Sequence, residues 1–315
     1  MTSGNPTPQA ALQHDEAVAL LHVWVNELAV SEGIRTLSIK GMAASASGLR
    51  APRTSSDVDV LVEPPSFRAF CDALTARGWS QYRAAEHRSA PKLFEDRVGA
   101  TFSHAHWPAT IDAHGNFPGL LTEPQAAFDA LWERRTSTSV AGIPVTTCDE
   151  LGHAIILLAN AARAPWSAHA KEQLAELEGN LATRLDDTRR DELATLASQT
   201  GTTDSLAEIW GRLGVRATGH SDPAALRAWR ASTLMSESYE SRWIEALRAV
   251  KWRERPRVLF RALWPTNDEM VAYWAAPPTA TGLLSARGKR ISRGLRGLPR
   301  AYRVWRRARR EVRTS

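Results

Sequence analysis

Two acids stand two residues apart, Asp57 and Asp59, in the run Ser55-Ser56-Asp57-Val58-Asp59-Val60-Leu61-Val62. In a strand, positions i and i+2 share a face, so both carboxylates point one way and Val58, Val60 and Val62 the other. Like charges on one face repel, and a cation is what keeps them ionised near neutral pH. Oxygen donors of this kind suit Mg²⁺, which takes one or two protein carboxylates and fills its shell with substrate phosphates. Asp112, in the apolar context Thr110-Ile111-Asp112-Ala113, is the candidate third acid if its strand lies beside 57–62. Three carboxylates would form a two-metal clamp. One metal would activate an attacking hydroxyl, and the other would hold a triphosphate and its leaving pyrophosphate. Asp112 could also take the proton of that hydroxyl. Asp-x-Asp alone is more often what chance supplies, with Asp57 in a turn or cap and Asp59 on an exposed strand edge; the order of the surrounding features points to chemistry.

Those features begin with Lys40-Gly41, at the end of an apolar run. Glycine lets a backbone approach a phosphate closely, and lysine adds a point charge. Arg50 and Arg53 fall in the loop just before the acids, and either could offset their charge or grip a phosphate oxygen. Arg53, four residues before Asp57, is the preferred one. His104, His106 and His114 cluster in sequence. A zinc site there would lack a cysteine and a firm third ligand. His106 or His114 lining a nucleotide pocket, or a histidine bracing the sheet, are the better readings.

The elements that must position these groups read as an α+β chain. A helix is predicted over 13–31, a strand over 34–39, a short helix over 42–48, and a loop over 50–56 around Pro52. The acid strand covers 58–62, with Asp57 at its mouth. A helix over 67–77 follows, and Trp79 to Tyr82 opens the next strand or loop. Strands at 100–106 and 108–114 meet near Trp107-Pro108. Then come a helix over 124–134, an extended piece over 140–145 around Gly142, and a helix over 149–162. Beyond that the pattern is helical, over 169–197, 204–213, 223–234 and 238–250, and its tryptophans are expected to knit helices together. The expected organisation is a flexible 1–12, an α/β core at 13–145, a helical unit at 146–280 and a tail at 281–315.

Charge is unevenly placed. The tail holds eleven arginines and one lysine against Glu311, so it carries +11 of a net +6, and the remaining 280 residues carry −5. Ile291, Leu295, Leu298, Tyr302 and Trp305 recur at helical steps among the arginines, although Gly294, Gly297 and Pro299 are expected to weaken or break that helix. Docking on the acidic body, contact with an anionic membrane surface, and RNA binding all remain open for it. Cys71 and Cys148 have no nearby cysteine, which implies no disulfide partner and a reducing, cytoplasmic setting. No secretory leader and no span of 18 apolar residues is read in the chain.

Ile39-Lys40-Gly41-Met42-Ala43-Ala44, then Arg53 to Val62, then Ile111-Asp112-Ala113-His114 resemble the bacterial uncharacterised nucleotidyltransferase family, within the DNA polymerase beta-like superfamily. The likeness is sharpest over 30–116, and His153 with the alanine-rich stretch to 162 resembles the family's interdomain helix. It implies a small mixed sheet flanked by helices, with a helical C-terminal region. It also implies an NTP and Mg²⁺, or Mn²⁺ in its place, with a nucleoside monophosphate passed to an acceptor. Asp57, Asp59 and Asp112 fall on the family's metal-binding carboxylates, Lys40 and Gly41 on its strand-end pair, and Arg53 on its arginine before the acids. The chain departs from the pattern at Met42, where the superfamily has a second small residue, and at Gly115, where the family often has Trp. The implied acceptor is a hydroxyl-bearing small molecule or peptide product. A toxin-like enzyme acting on tRNA and a non-catalytic nucleotide-binding protein are the alternatives.

Overall fold

The computed structural model describes residues 12–53, 55–82, 99–267, 270–271 and 276–313. Nearly all of the expected flexible N-terminus, together with Thr54, falls outside them. The chain opens with α1 (His14–Ser31), β1 (Thr36–Ile39), the short α2 (Gly41–Ala46) and β2 (Asp57–Val62), followed by α3 (Phe67–Ala76). Three strands follow, β3 (Ser80–Tyr82), β4 (Gly99–Ser103) and β5 (Thr110–His114), then α4 (Pro124–Glu133) and the hairpin of β6 (Arg135–Val140) and β7 (Ile143–Cys148). The helical part runs through α5 (Glu150–Ala162), α6 (Ala168–Arg184), α7 (Asp187–Gln199), α8 (Ala207–Leu213), α9 (Pro223–Met235), α10 (Tyr239–Ala249), α11 (Arg255–Leu263) and α12 (Ala280–Arg313).

The seven described strands form one mixed sheet in the order β3-β4-β5-β2-β1-β7-β6. β2 pairs antiparallel with β1 and parallel with β5. Alternation divides its side chains as expected. Val58, Val60 and Val62 join α1, α3 and the inward residues of β4 and β5 in one core. Leu61 joins Leu37 and Ile39 of β1 in a second core, which is continuous with α4 to α8. The sheet is therefore covered on both faces, and Asp57 and Asp59 share the Leu61 face, toward the later helices.

Several expected elements change. The 140–145 segment is a hairpin, because Ala141 and Gly142 both take positive φ (51° and 79°) and turn the chain between β6 and β7. The single helix expected over 169–197 is two, since Leu185 turns extended and the Asp186 side chain caps the next helix on the Arg189 N–H. The expected break in the tail does not occur: α12 is continuous through Pro299. Proline removes one N–H from the ladder, and side-chain contacts on its C-terminal side hold the helix together. Arg300 pairs with Glu237, Arg309 with Glu245, and Ala301, Val304 and Ala308 are buried. Trp305 Nε1 donates to Glu245 at 2.5 Å. The tail thus lies along α9 and α10. Of the helical-region tryptophans, Trp210 and Trp243 are buried, whereas Trp252 and Trp264 are exposed. No helix among the described residues is long and apolar enough to cross a membrane.

Candidate active site

Parallel pairing sets β2 beside β5 in a register that opposes Asp59 to Asp112, Asp57 to Thr110 and Leu61 to His114. Because Asp112 and His114 share one face of β5, they meet Asp59 on the helical side of the sheet. The possible ligand atoms of Asp59, Asp112 and His114 all lie within 4.8 Å of one another. Asp59 is 3% exposed, so its charge needs partners. Its Oδ1 accepts from Lys40 Nζ at 2.5 Å and from His114 Nε2 at 3.1 Å. Burial pushes the Asp59 carboxyl up, but the His114 hydrogen bond and the Lys40 charge outweigh burial and hold it below the usual carboxylate range.

Lys40 reaches this carboxylate from an uncommon backbone. Its φ is 60° and its ψ −156°, a conformation costly for a residue with a Cβ. Gly41 follows at φ +45°, and a Cβ there would stand 3.3 Å from His22 Nε2 and 3.5 Å from Ser55 Oγ. This double turn at the end of β1 throws the lysine back over the sheet. There its ammonium also lies 5.6 Å from the Phe117 ring centroid, and the same ring makes an edge contact with His114.

Asp57 stands at the mouth of the same face. Ser55 Oγ donates to its Oδ1 at 3.1 Å. Burial, then the charges of Asp59 and Asp112, push its carboxyl above the ordinary value. The three acids therefore feel one another, although the tightest cluster is Asp59, Asp112 and His114. Asp112 Oδ1 is buried with no hydrogen-bond partner among the described residues. An orphaned carboxylate oxygen beside two further acids fits a hard divalent cation, with His114 as a nitrogen donor at its edge.

Two expected contributors sit elsewhere. Arg53 pairs with Glu176 of α6 and not with the acids. His106 makes an edge contact with His104, whose ring lies tilted against Trp79. Trp79 belongs to the core of the opposite sheet face. Arg50, the less favoured arginine, donates to the Gly41 carbonyl at 2.9 Å and so braces the Lys40-Gly41 turn.

A further set was missed. Three residues one turn apart on α6 hold the loop that leads into the acids. Glu176 accepts from the Ala51 N–H at 2.8 Å, Asn180 donates to the Leu49 carbonyl at 2.9 Å, and Arg184 donates to the Ser47 and Gly48 carbonyls. Ser55 carried a local signal, being two residues before Asp57. The α6 residues carried none, since their partners lie more than 120 positions away.

A family model described as "Uncharacterised nucleotidyltransferase" matches residues 9–249. No curated protein matches the chain.

Proposed function

This chain belongs to the uncharacterised nucleotidyltransferase family, and from that premise we propose that it transfers a nucleoside monophosphate from an NTP to a hydroxyl of an acceptor, with Mg²⁺ or Mn²⁺ as the metal. The observation that carries the proposal is the register that opposes Asp59 to Asp112, with Asp57 on the same face. In the reaction the acceptor oxygen bonds to the α-phosphorus, the bond from that phosphorus to the bridging α–β oxygen breaks, and pyrophosphate leaves.

Asp57, Asp59 and Asp112 would hold the divalent cation. A cation there offsets the negative charge of the triphosphate and of the leaving pyrophosphate. The orphaned Oδ1 of Asp112 would face the cation, and the second oxygen of the same carboxylate takes the proton of the attacking hydroxyl. Lys40 sets the charge of Asp59 and places an ammonium beside the carboxylates. His114 orients Asp59 through its hydrogen bond and is itself fixed by Phe117. Arg50 and the α6 residues keep the approach loop in place. The acceptor is a small molecule or a peptide product.

The test is pyrophosphate release from NTP with Mg²⁺ in the presence of host extract. The double variant Asp57→Asn/Asp59→Asn should lose it while keeping its circular dichroism spectrum. Unchanged release from that variant would refute the site.

A further inference from the structure

The tail turns one face to the body. On α12, Ala301, Val304 and Ala308 are buried, and Arg300 and Arg309 reach Glu237 and Glu245. About a third of a turn round the helix, Leu284, Leu295, Leu298 and Tyr302 recur at steps of eleven, three and four residues, which puts them on one line. Each is between 45% and 60% exposed, where the outer face of a helix on a water-bathed protein carries polar groups. About a further third of a turn on, Lys289, Arg296, Arg303 and Arg307 make a second line, and all four are exposed.

The arginines of the second line spend their hydrogen bonds without losing their charge. Arg296 donates to the Ser292 hydroxyl at 2.8 Å and Arg303 to the Pro299 carbonyl at 3.4 Å, both neutral oxygens of the same helix. Glu311 is the only acid in the α12 sequence. The apolar line is extended at its N-terminal end. Arg287, three residues after Leu284, lies over the Trp264 ring at 4.7 Å from its centroid, and that indole is 43% exposed. At the other end the Arg306 guanidinium lies 5.9 Å from the Tyr302 ring centroid. From Leu284 to Tyr302 the apolar line runs about 27 Å.

A long apolar line beside a line of cations, both facing away from the body, matches a helix that lies in a bilayer interface. Acyl chains take up leucine, phosphate headgroups pair with the cations, and indole and phenol rings sit at the boundary. We infer that α12 docks the protein on a bilayer surface rich in anionic phospholipid. Leu284, Leu295, Leu298 and Tyr302 dip below the headgroups, and Lys289, Arg296, Arg303 and Arg307 lie among the phosphates. The helix rests on the membrane and is not apolar enough to cross it. Other occupants suit the surface less well. A nucleic acid would use the arginines but leave three leucines in water. A second copy of the chain would bring like charges together. This inference does not rest on the transfer reading above.

The experiment is flotation of the full chain at physiological salt with two kinds of vesicle, phosphatidylcholine alone and phosphatidylcholine with phosphatidylglycerol. The parent should bind the anionic vesicles about tenfold or more tightly than the neutral ones. Lys289→Gln/Arg296→Gln/Arg303→Gln should weaken that binding about a hundredfold, at about fivefold for each basic residue near the surface. Leu295→Ser/Leu298→Ser removes no charge and should weaken it about tenfold or more, a loss that a purely electrostatic contact would not show. The substituted side chains are exposed, so both variants should keep the parent's circular dichroism spectrum, and without lipid the leucine variant should sediment as the parent does. The inference is overturned if the parent fails to float with the anionic vesicles, if neutral vesicles carry it equally well, if the leucine variant floats like the parent, or if that variant breaks up an oligomer that the parent forms. A single-stranded RNA that strips the parent from the vesicles at an equal concentration of phosphate would likewise overturn it and assign the cations to nucleic acid.

Discussion

Lys40 Nζ stands 2.5 Å from Asp59 Oδ1, so the lysine at the end of one strand balances the most buried acid of the next. Removing one partner of such a pair leaves the other charge buried without compensation. Lys40→Ala should cost about 2–3 kcal/mol, somewhat under the figure for a fully enclosed pair because the lysine is partly exposed. A dication bound at Asp59 supplies the lost positive charge, so millimolar Mg²⁺ should narrow the gap. Chemical denaturation of both proteins with and without Mg²⁺ reads this directly, and equal stability in metal-free buffer would contradict the role given to Lys40.

The approach loop should matter more to turnover than to stability. Glu176 holds the loop through the Ala51 N–H and the Arg53 guanidinium and Asn180 through the Leu49 carbonyl, and a typical bond of this kind contributes about 1 kcal/mol. Glu176→Ala/Asn180→Ala is expected to lower the melting temperature modestly. The same change frees the segment that carries Ser55 into Asp57, and kcat should fall about tenfold or more. A variant with normal kcat would show that the loop needs no help from the helices.

Two buried histidines predict how stability follows pH. Burial pushes His22 and His153 down to about 4. His153 donates from Nε2 to Thr147 Oγ1, because that hydroxyl already gives its proton to the Ser38 carbonyl, and burial with no partner at Nδ1 among the described residues keeps the ring neutral. In the unfolded chain each ring takes a proton near pH 6.5. Between that pH and about 4 the unfolded state binds more protons than the folded one. The stabilisation is therefore whole above about pH 6.5 and is lost as pH falls toward 4, by about 3 kcal/mol for each ring. Urea unfolding of the parent and of His153→Leu across this range should show a flatter slope in the variant. Parallel slopes would mean that His153 is not buried neutral.

Much of the site could be read from residue spacing, because its geometry is local. Asp57 and Asp59 are two apart with valines between, and strand parity alone puts them on one face. Asp112 needed one further condition, that β5 lie beside β2, and the parallel pairing meets it. What spacing could not reveal depends on contacts between distant segments. Arg53 stands where an arginine for phosphate is expected, yet Glu176 of α6, 123 positions later, takes its guanidinium. Pro299 looks like a helix breaker until Glu237 and Glu245 and the small buried face of the tail hold the helix through it. The Ala141-Gly142 turn was half hidden: Gly142 is a turn residue, but alanine rarely takes positive φ, so the pair did not read as a two-residue hairpin loop.

The central claim is that the face shared by Asp57, Asp59 and Asp112 binds a divalent cation together with an NTP. The most direct measurement is an anomalous difference map from a crystal grown with Mn²⁺ and α,β-methylene-ATP. A manganese peak between the carboxylates of Asp59 and Asp112, touching the triphosphate, is the predicted result. Nucleotide density with its phosphates away from these residues and no peak beside Asp112 would contradict it.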